Sequence, residues 1–253
     1  MIYDLQRASM WKRISAWLFD GILLGIAAVG IAFLLSLALN FDGHNTALEE
    51  AYAHYEAQFG ITFDIAQEEY LAMSRADRQN YDTAYQALIA DEAAMYSYNM
   101  VLNLTLIITT LGTLLAYLML EFLVPLLLGN GQTLGKKIFS LAVVRTDLVG
   151  ITPVQLFIRT VLGKFTVETM VPVYVIIMLM FNTVGLEGTL LLFALLVAQL
   201  LLLALNRNRA VIHDLLAGTV TVDFASQIIF RTTEDLIRYK NKLHAEEAAR
   251  KDY

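Results

Sequence analysis

Four stretches of this chain are nearly unbroken runs of apolar residues, and the polar positions collect between them. Residues 14–39 are interrupted by a single charge, Asp20, and residues 100–128 by a single charge, Glu121. Residues 169–181 are apolar but short, and need the preceding turns with Phe165 and Val167 to cross a bilayer. Residues 189–205 carry no charge. A helix needs roughly 20 mostly apolar residues to cross the hydrocarbon layer, so the pattern predicts four transmembrane helices. Ser36 and Ala38 make a passable cleavage pattern at the end of the first run. That run is longer than the apolar core of a signal peptide and carries an acid near its start, so it is read as a retained span.

Between the first two runs the pattern changes. Residues 42–97 hold eleven acids, two bases and no proline. Asp64 before Gln67 and Ser74 before Asp77 read as helix starts, and Tyr70, Met73, Tyr81, Tyr85 and Leu88 supply apolar contacts. Two or three short amphipathic helices are expected, the last running into the second span. The plain reading is a helical cap; the sharper one is a surface that concentrates cations. No acid-and-glycine spacing of a calcium loop is present.

Charge then sets orientation. The formal net charge is −6, yet the residues outside 42–97 sum to +3. Of the 18 Lys and Arg, only Arg75 and Arg78 lie between the first and second runs, and none lies between the third and fourth. The excess of Lys and Arg on cytoplasmic segments then predicts both termini inside and 42–97 outside. The reading is an all-α integral membrane protein: a four-helix transmembrane bundle, N-in and C-in, in the cell membrane. Its expected parts are an N-terminus with the first span (1–41), an acidic extracytoplasmic insert (42–97), the remaining spans with inner interfacial segments (98–225) and a charged cytoplasmic tail (226–253). The lipid bilayer is its expected partner. The net acidic charge argues against nucleic acid, although an average over segregated signs is a weak guide.

The inner segments are more varied. Gly129, Gly131 and Gly135 punctuate the exit from the second run, and residues 137–146 alternate weakly, as a short extended or hairpin-like element does. The glycines lack phosphate-loop spacing. Pro153 stands at a first helical position, followed by an apolar periodicity through Phe165 that Arg159 and Lys164 interrupt; a helix lying at the inner interface before turning into the third span is expected. Residues 206–224 begin basic, pass through a short amphipathic turn and end strand-like. Residues 226–253 form a charged helix. Trp11 and Trp17 read as interface anchors, and Gly21, Gly25 and Gly30 as points of close helix contact.

With no cysteine, disulfides, thiolate metal sites and thiol nucleophiles are excluded. No cofactor, metal or enzymatic activity is expected. His213 beside Asp214, with no serine placed nearby, reads as a structural pair rather than a hydrolytic one. The informative charges are those within or beside the spans: Arg13, Asp20, Glu121, Arg159, Glu168, His213 and Asp214, because ionisable groups there are costly and usually functional. Arg13 and Asp20 share a helix face but stand ~10.5 Å apart along the axis, so each is expected to meet another helix.

Three pieces together carry a family resemblance: Arg13 with Asp20 in KRISAWLFDGILLG, then GQTLGKKIFSLAVVRTD with the Pro153 helix and Arg159, then HDLLAGTVTV at 213–222. They resemble the RDD family of prokaryotic membrane proteins, named for one arginine and two aspartates. The resemblance implies that Arg13, Asp20 and Asp214 are those residues. It covers 7–40 and roughly 98–223, and the acidic insert departs from the compact family pattern. Some members of the family are described as cation/proton antiporters. The resemblance permits transport without establishing it. In a transport reading of the charges themselves, Asp20 and Glu121 exchange a proton for Na⁺, K⁺ or Li⁺, because burial raises a carboxyl pKa and a nearby arginine lowers it, with Arg13 or Arg159 as the competing internal cation. The alternative is a non-transporting scaffold or accessory subunit in which these charges clamp the helices. It would form a homo-oligomer or engage a protein partner through its acidic cap or basic tail.

Overall fold

The computed structural model describes residues 5–180, 184–206 and 209–251. Phe181, the end of the third predicted run, and Arg207, counted with the inner bases, lie outside them. Val29–Gly112 is one compact unit, and the residues flanking it on both sides form a second.

Four helices are long and apolar enough to cross a membrane: α1 (Met10–Ala38), then Glu92–Leu128, Pro153–Leu179 and Leu186–Leu205. Between the first two lie α2 (Phe41–Phe59), α3 (Gln67–Ala72) and α4 (Arg75–Ala90), so the long helix Glu92–Leu128 is α5. It begins within the acidic segment and enters the second span without a break, as the sequence predicts. Ser74 caps α4 by accepting the Asp77 N–H at 3.2 Å. Asp64 does not cap α3, whose N-cap is Ala66 with no side-chain bond. Packing in this unit is largely aromatic: Phe63 meets Tyr52 and Tyr81 edge-on, and Tyr81 meets Tyr70. Leu88 is buried, whereas Tyr85 points outward.

Past α5 come α6 (Leu134–Ile138) and β1 (Leu141–Arg145). The helix Pro153–Leu179 is α7 and Leu186–Leu205 is α8. They are followed by α9 (Ile212–Ala217), β2 (Thr219–Asp223) and α10 (Thr233–Lys251). The all-α reading holds for the membrane part but omits one element. β1 pairs antiparallel with β2, Leu141 opposite Asp223 and Arg145 opposite Thr219. Of the extended and hairpin-like readings the extended one holds, and the segment finds its main partner nearly eighty residues further along the chain. Arg7 bridges to Val222 on the far side of β2. Ala142, Val144, Val220 and Val222 form the apolar core of this sheet. Leu148, Val149, Phe230 and Leu236 extend it to α10.

The expected turn between an interfacial helix and the third span is absent. Pro153–Leu179 is one helix, opened by a Thr152/Gln155 capping box with Pro153 in its first turn and π-helical over Ile158–Met170. The glycine expectation also fails in α1: a side chain added at Gly21, Gly25 or Gly30 would meet nothing within 4 Å. The close approaches are elsewhere. A Cβ at Gly135 would fall 2.5 Å from the Ala16 carbonyl, and one at Gly163 would fall 2.5 Å from the His213 Cβ.

Candidate functional site

The charged residues singled out above converge at one end of α1, α5 and α7, in two adjoining groups. The first forms around Asp20. Thr133 caps α6, accepting the Lys136 N–H at 3.3 Å. This short helix presents its first turn to Asp20: Gly135 N–H donates to one carboxylate oxygen at 2.8 Å and the Thr133 hydroxyl donates to the other. Only glycine at 135 lets the backbone come this close. Lys136, 7 % exposed, stands 3.6 Å from Asp20 and 4.0 Å from Glu121, and donates to the Thr133 hydroxyl oxygen at 3.0 Å. Burial, then the neighbouring Lys164 charge, bring the Lys136 amine down to about 8.

Glu121 owes its place to Pro125. Proline has no N–H, so the helical donor to the carbonyl four residues back is missing. That carbonyl belongs to Glu121, and the Thr160 hydroxyl of α7 donates to it at 2.9 Å. The same turn of α5 is π-helical over Leu118–Leu123, a geometry that turns up often at functional positions. The Glu121 carboxylate accepts from Lys164 at 2.6 Å.

The second group surrounds Asp214, 1 % exposed. Arg159 donates to its Oδ1 at 3.0 Å through Nε, with Nη2 equally close. Thr219, the first residue of β2, donates to the same oxygen at 3.2 Å. Oδ2 is buried without a hydrogen bond, and Arg13 lies 3.9 Å from it. Burial alone would raise the Asp214 carboxyl, but the charges around it, Arg159 first, lower it to about 2. His213 follows from its neighbours. Arg159 Nη2 lies 3.0 Å from His213 Nε2, and a guanidinium only donates. Nε2 must therefore accept, which leaves the proton on Nδ1, aimed at Glu168 Oε2 at 2.8 Å. The imidazole is held neutral, and burial shifts its pKa down in agreement. Glu168 also accepts the His213 backbone N–H at 3.1 Å.

All seven sequence-selected residues thus lie in one region, in contact through partners on other elements. Arg13 and Asp20 do not meet each other. The lysines beside Asp20 and Glu121 are Lys136 and Lys164, while Arg13 and Arg159 stand against Asp214. Arg13, two turns from Asp20 on α1, points to another partner, whereas α6 delivers a lysine directly. Thr133, Gly135 and Lys136 were not singled out by sequence; the available signal was a Thr capping a short helix three residues before a lysine. Gly163 was equally silent.

Space at the site is uneven. Beside Asp20, Glu121 and Leu134 the free volume is about 10 Å³, enough for about one water. A larger cavity of about 250 Å³ lies between α7 and α8, with Glu168 in its wall.

No curated protein and no solved structure matches the chain. The model of the RDD family matches residues 7–218, from just before α1 to the turn before β2. With its membrane-crossing helices and the match over most of its length, this is a multi-pass membrane protein, and the chain belongs to the RDD family.

Proposed function

We propose that this RDD protein is a non-transporting, non-catalytic scaffold or accessory subunit of the cell membrane, with both termini cytoplasmic, and that its charged cluster is a clamp. One observation carries the reading: Asp20, Glu121 and Asp214 each face a Lys or Arg from a different element, and the space beside Asp20 holds about one water. No carboxylate among these three is left to take a mobile cation. Breaking such buried pairs is costly, on the order of 3–5 kcal/mol, so the contacts lock α1, α5, α7 and the sheet in one arrangement. The acidic insert and α10 are then the surfaces for a protein partner or a second copy.

Orientation is testable because the chain has no cysteine. Ala76→Cys in the insert is expected to react with a membrane-impermeant maleimide on intact cells, and Ala248→Cys in α10 only after permeabilisation. The reverse pattern overturns the topology.

Cation/proton antiport is the second reading, favoured by Lys136. A buried amine titrating at about 8 between two carboxylates would, on losing its proton, leave Asp20 open to Na⁺, K⁺ or Li⁺ while Glu121 stays on Lys164. The chain in liposomes with an internal pH dye separates the two. The clamp predicts no cation-driven proton flux above empty liposomes. Flux that disappears in Asp20→Asn and Glu121→Gln establishes antiport instead.

A further inference from the structure

Glu168, partly buried, differs from the other three carboxylates of the cluster. Asp20, Glu121 and Asp214 face lysine or arginine, whereas Glu168 faces His213, which Arg159 holds in its neutral form. It is an anion without a matching cation, and it lines the cavity of about 250 Å³ between α7 and α8. Leu192, Leu195 and Leu196 of α8 and Ile212 make the walls apolar. Gln199 is the other polar lining residue; its side chain bonds Glu168 and accepts the Ile212 N–H at 3.4 Å. Pro172, also in the wall, lacks an N–H and withholds a helical donor from the preceding turn of α7. The polar end of the cavity therefore carries the negative charge of Glu168.

We propose that this cavity binds an alkylammonium, its charged nitrogen on Glu168 and its apolar tail along α8. A bare alkali cation is a poor fit, because one carboxylate and one amide offer too few oxygens to replace its hydration. An ammonium brings three donors to the acceptors. The volume lies just under the roughly 300–1,000 Å³ of sites for drug-sized ligands, which limits the ligand to a short tail. Two sources share this chemistry: a free lipophilic amine and the primary ammonium head of an aminophospholipid. The inference is independent of the clamp, which uses other carboxylates.

The test uses the full chain purified in a neutral detergent, with octylammonium chloride as probe and octanol as its uncharged counterpart. Octylammonium is expected to raise the unfolding temperature saturably, and octanol at equal concentration is not. Glu168→Gln is expected to raise the half-saturating concentration roughly tenfold or more, by removing a charge-assisted bond. Leu195→Trp, which fills the cavity and leaves the Glu168–His213 pair in place, is expected to abolish the response; it keeps the test sound should Glu168→Gln fold poorly. Equal responses to octanol and octylammonium, no saturable response, or an unchanged response in Leu195→Trp each overturn the proposal. In nanodiscs, loss of the octylammonium response on replacing phosphatidylcholine with phosphatidylethanolamine identifies the lipid head as occupant. A response kept in both lipids identifies a free amine.

Discussion

Asp214 concentrates the energetics of single residues in this protein. It is buried, receives Arg159 and Thr219 on one oxygen and faces Arg13 with the other. Replacing it by asparagine leaves two guanidinium groups without their carboxylate. Asp214→Asn is expected to destabilise the chain by about 3–5 kcal/mol, seen as a lower unfolding temperature in detergent. The pH dependence has a definite sign. The folded carboxyl titrates at about 2, below its ordinary 3.8, so its contribution is present above the ordinary value and is lost as pH falls towards 2. Stability of the native chain should fall across that window, and the fall should be shallower in Asp214→Asn. An equal slope in both would assign the acid sensitivity to other carboxylates.

At the scale of elements, α7 is the organiser. One face carries Arg159 to Asp214, Thr160 to the Glu121 carbonyl, Lys164 to the Glu121 carboxylate and Glu168 to His213. Gly163 stands among them where α9 lies against the helix. A methyl there would sit 2.5 Å from the His213 Cβ, a carbon fixed by its backbone rather than the end of a flexible chain. Gly163→Ala should therefore push α9 away, despite the better helix propensity of alanine, roughly 1 kcal/mol in its favour. The expected outcome is net destabilisation by about 1–3 kcal/mol, measured by thermal unfolding. Gly21→Ala, in α1 where nothing lies near, is the matched control and should be neutral or slightly stabilising.

At the scale of the molecule, the spans are joined by a small assembly built from segments far apart in the chain. The N-terminal segment at Arg7, β1 and β2 pair with one another, and α10 closes the sheet's second core through Leu236 against Leu148, Val149 and Phe230. The family match ends at 218, before β2 and α10. Truncation after Thr232 keeps both strands and the charged cluster and removes Leu236. Its expected cost is about 1.5–3 kcal/mol, that of exposing one buried leucine, leaving a folded protein with a lower unfolding temperature. Truncation after Gly218 also removes β2 and the Thr219 bond to Asp214, and is expected to prevent accumulation of the folded chain, as judged by yield in membranes.

The sequence by itself determined the four membrane-crossing helices, the helical acidic insert and seven ionisable residues that the fold brings into one region. Apolar run length and the rarity of charges within those runs are properties of the chain read in order, and they need no partner to be seen. The start of α4 at Ser74 and of α7 at Pro153 were legible for the same reason, since a cap acts within one turn. The tertiary structure decided what those charges face. Lys136 reaches Asp20 because Thr133 and Gly135 aim α6 at it, and β1 finds β2 across two intervening spans. Glu168 stands without a matching cation because Arg159 fixes the tautomer of His213. Each of these depends on which elements become neighbours, and periodicity along one segment holds no information about the segment that will lie beside it.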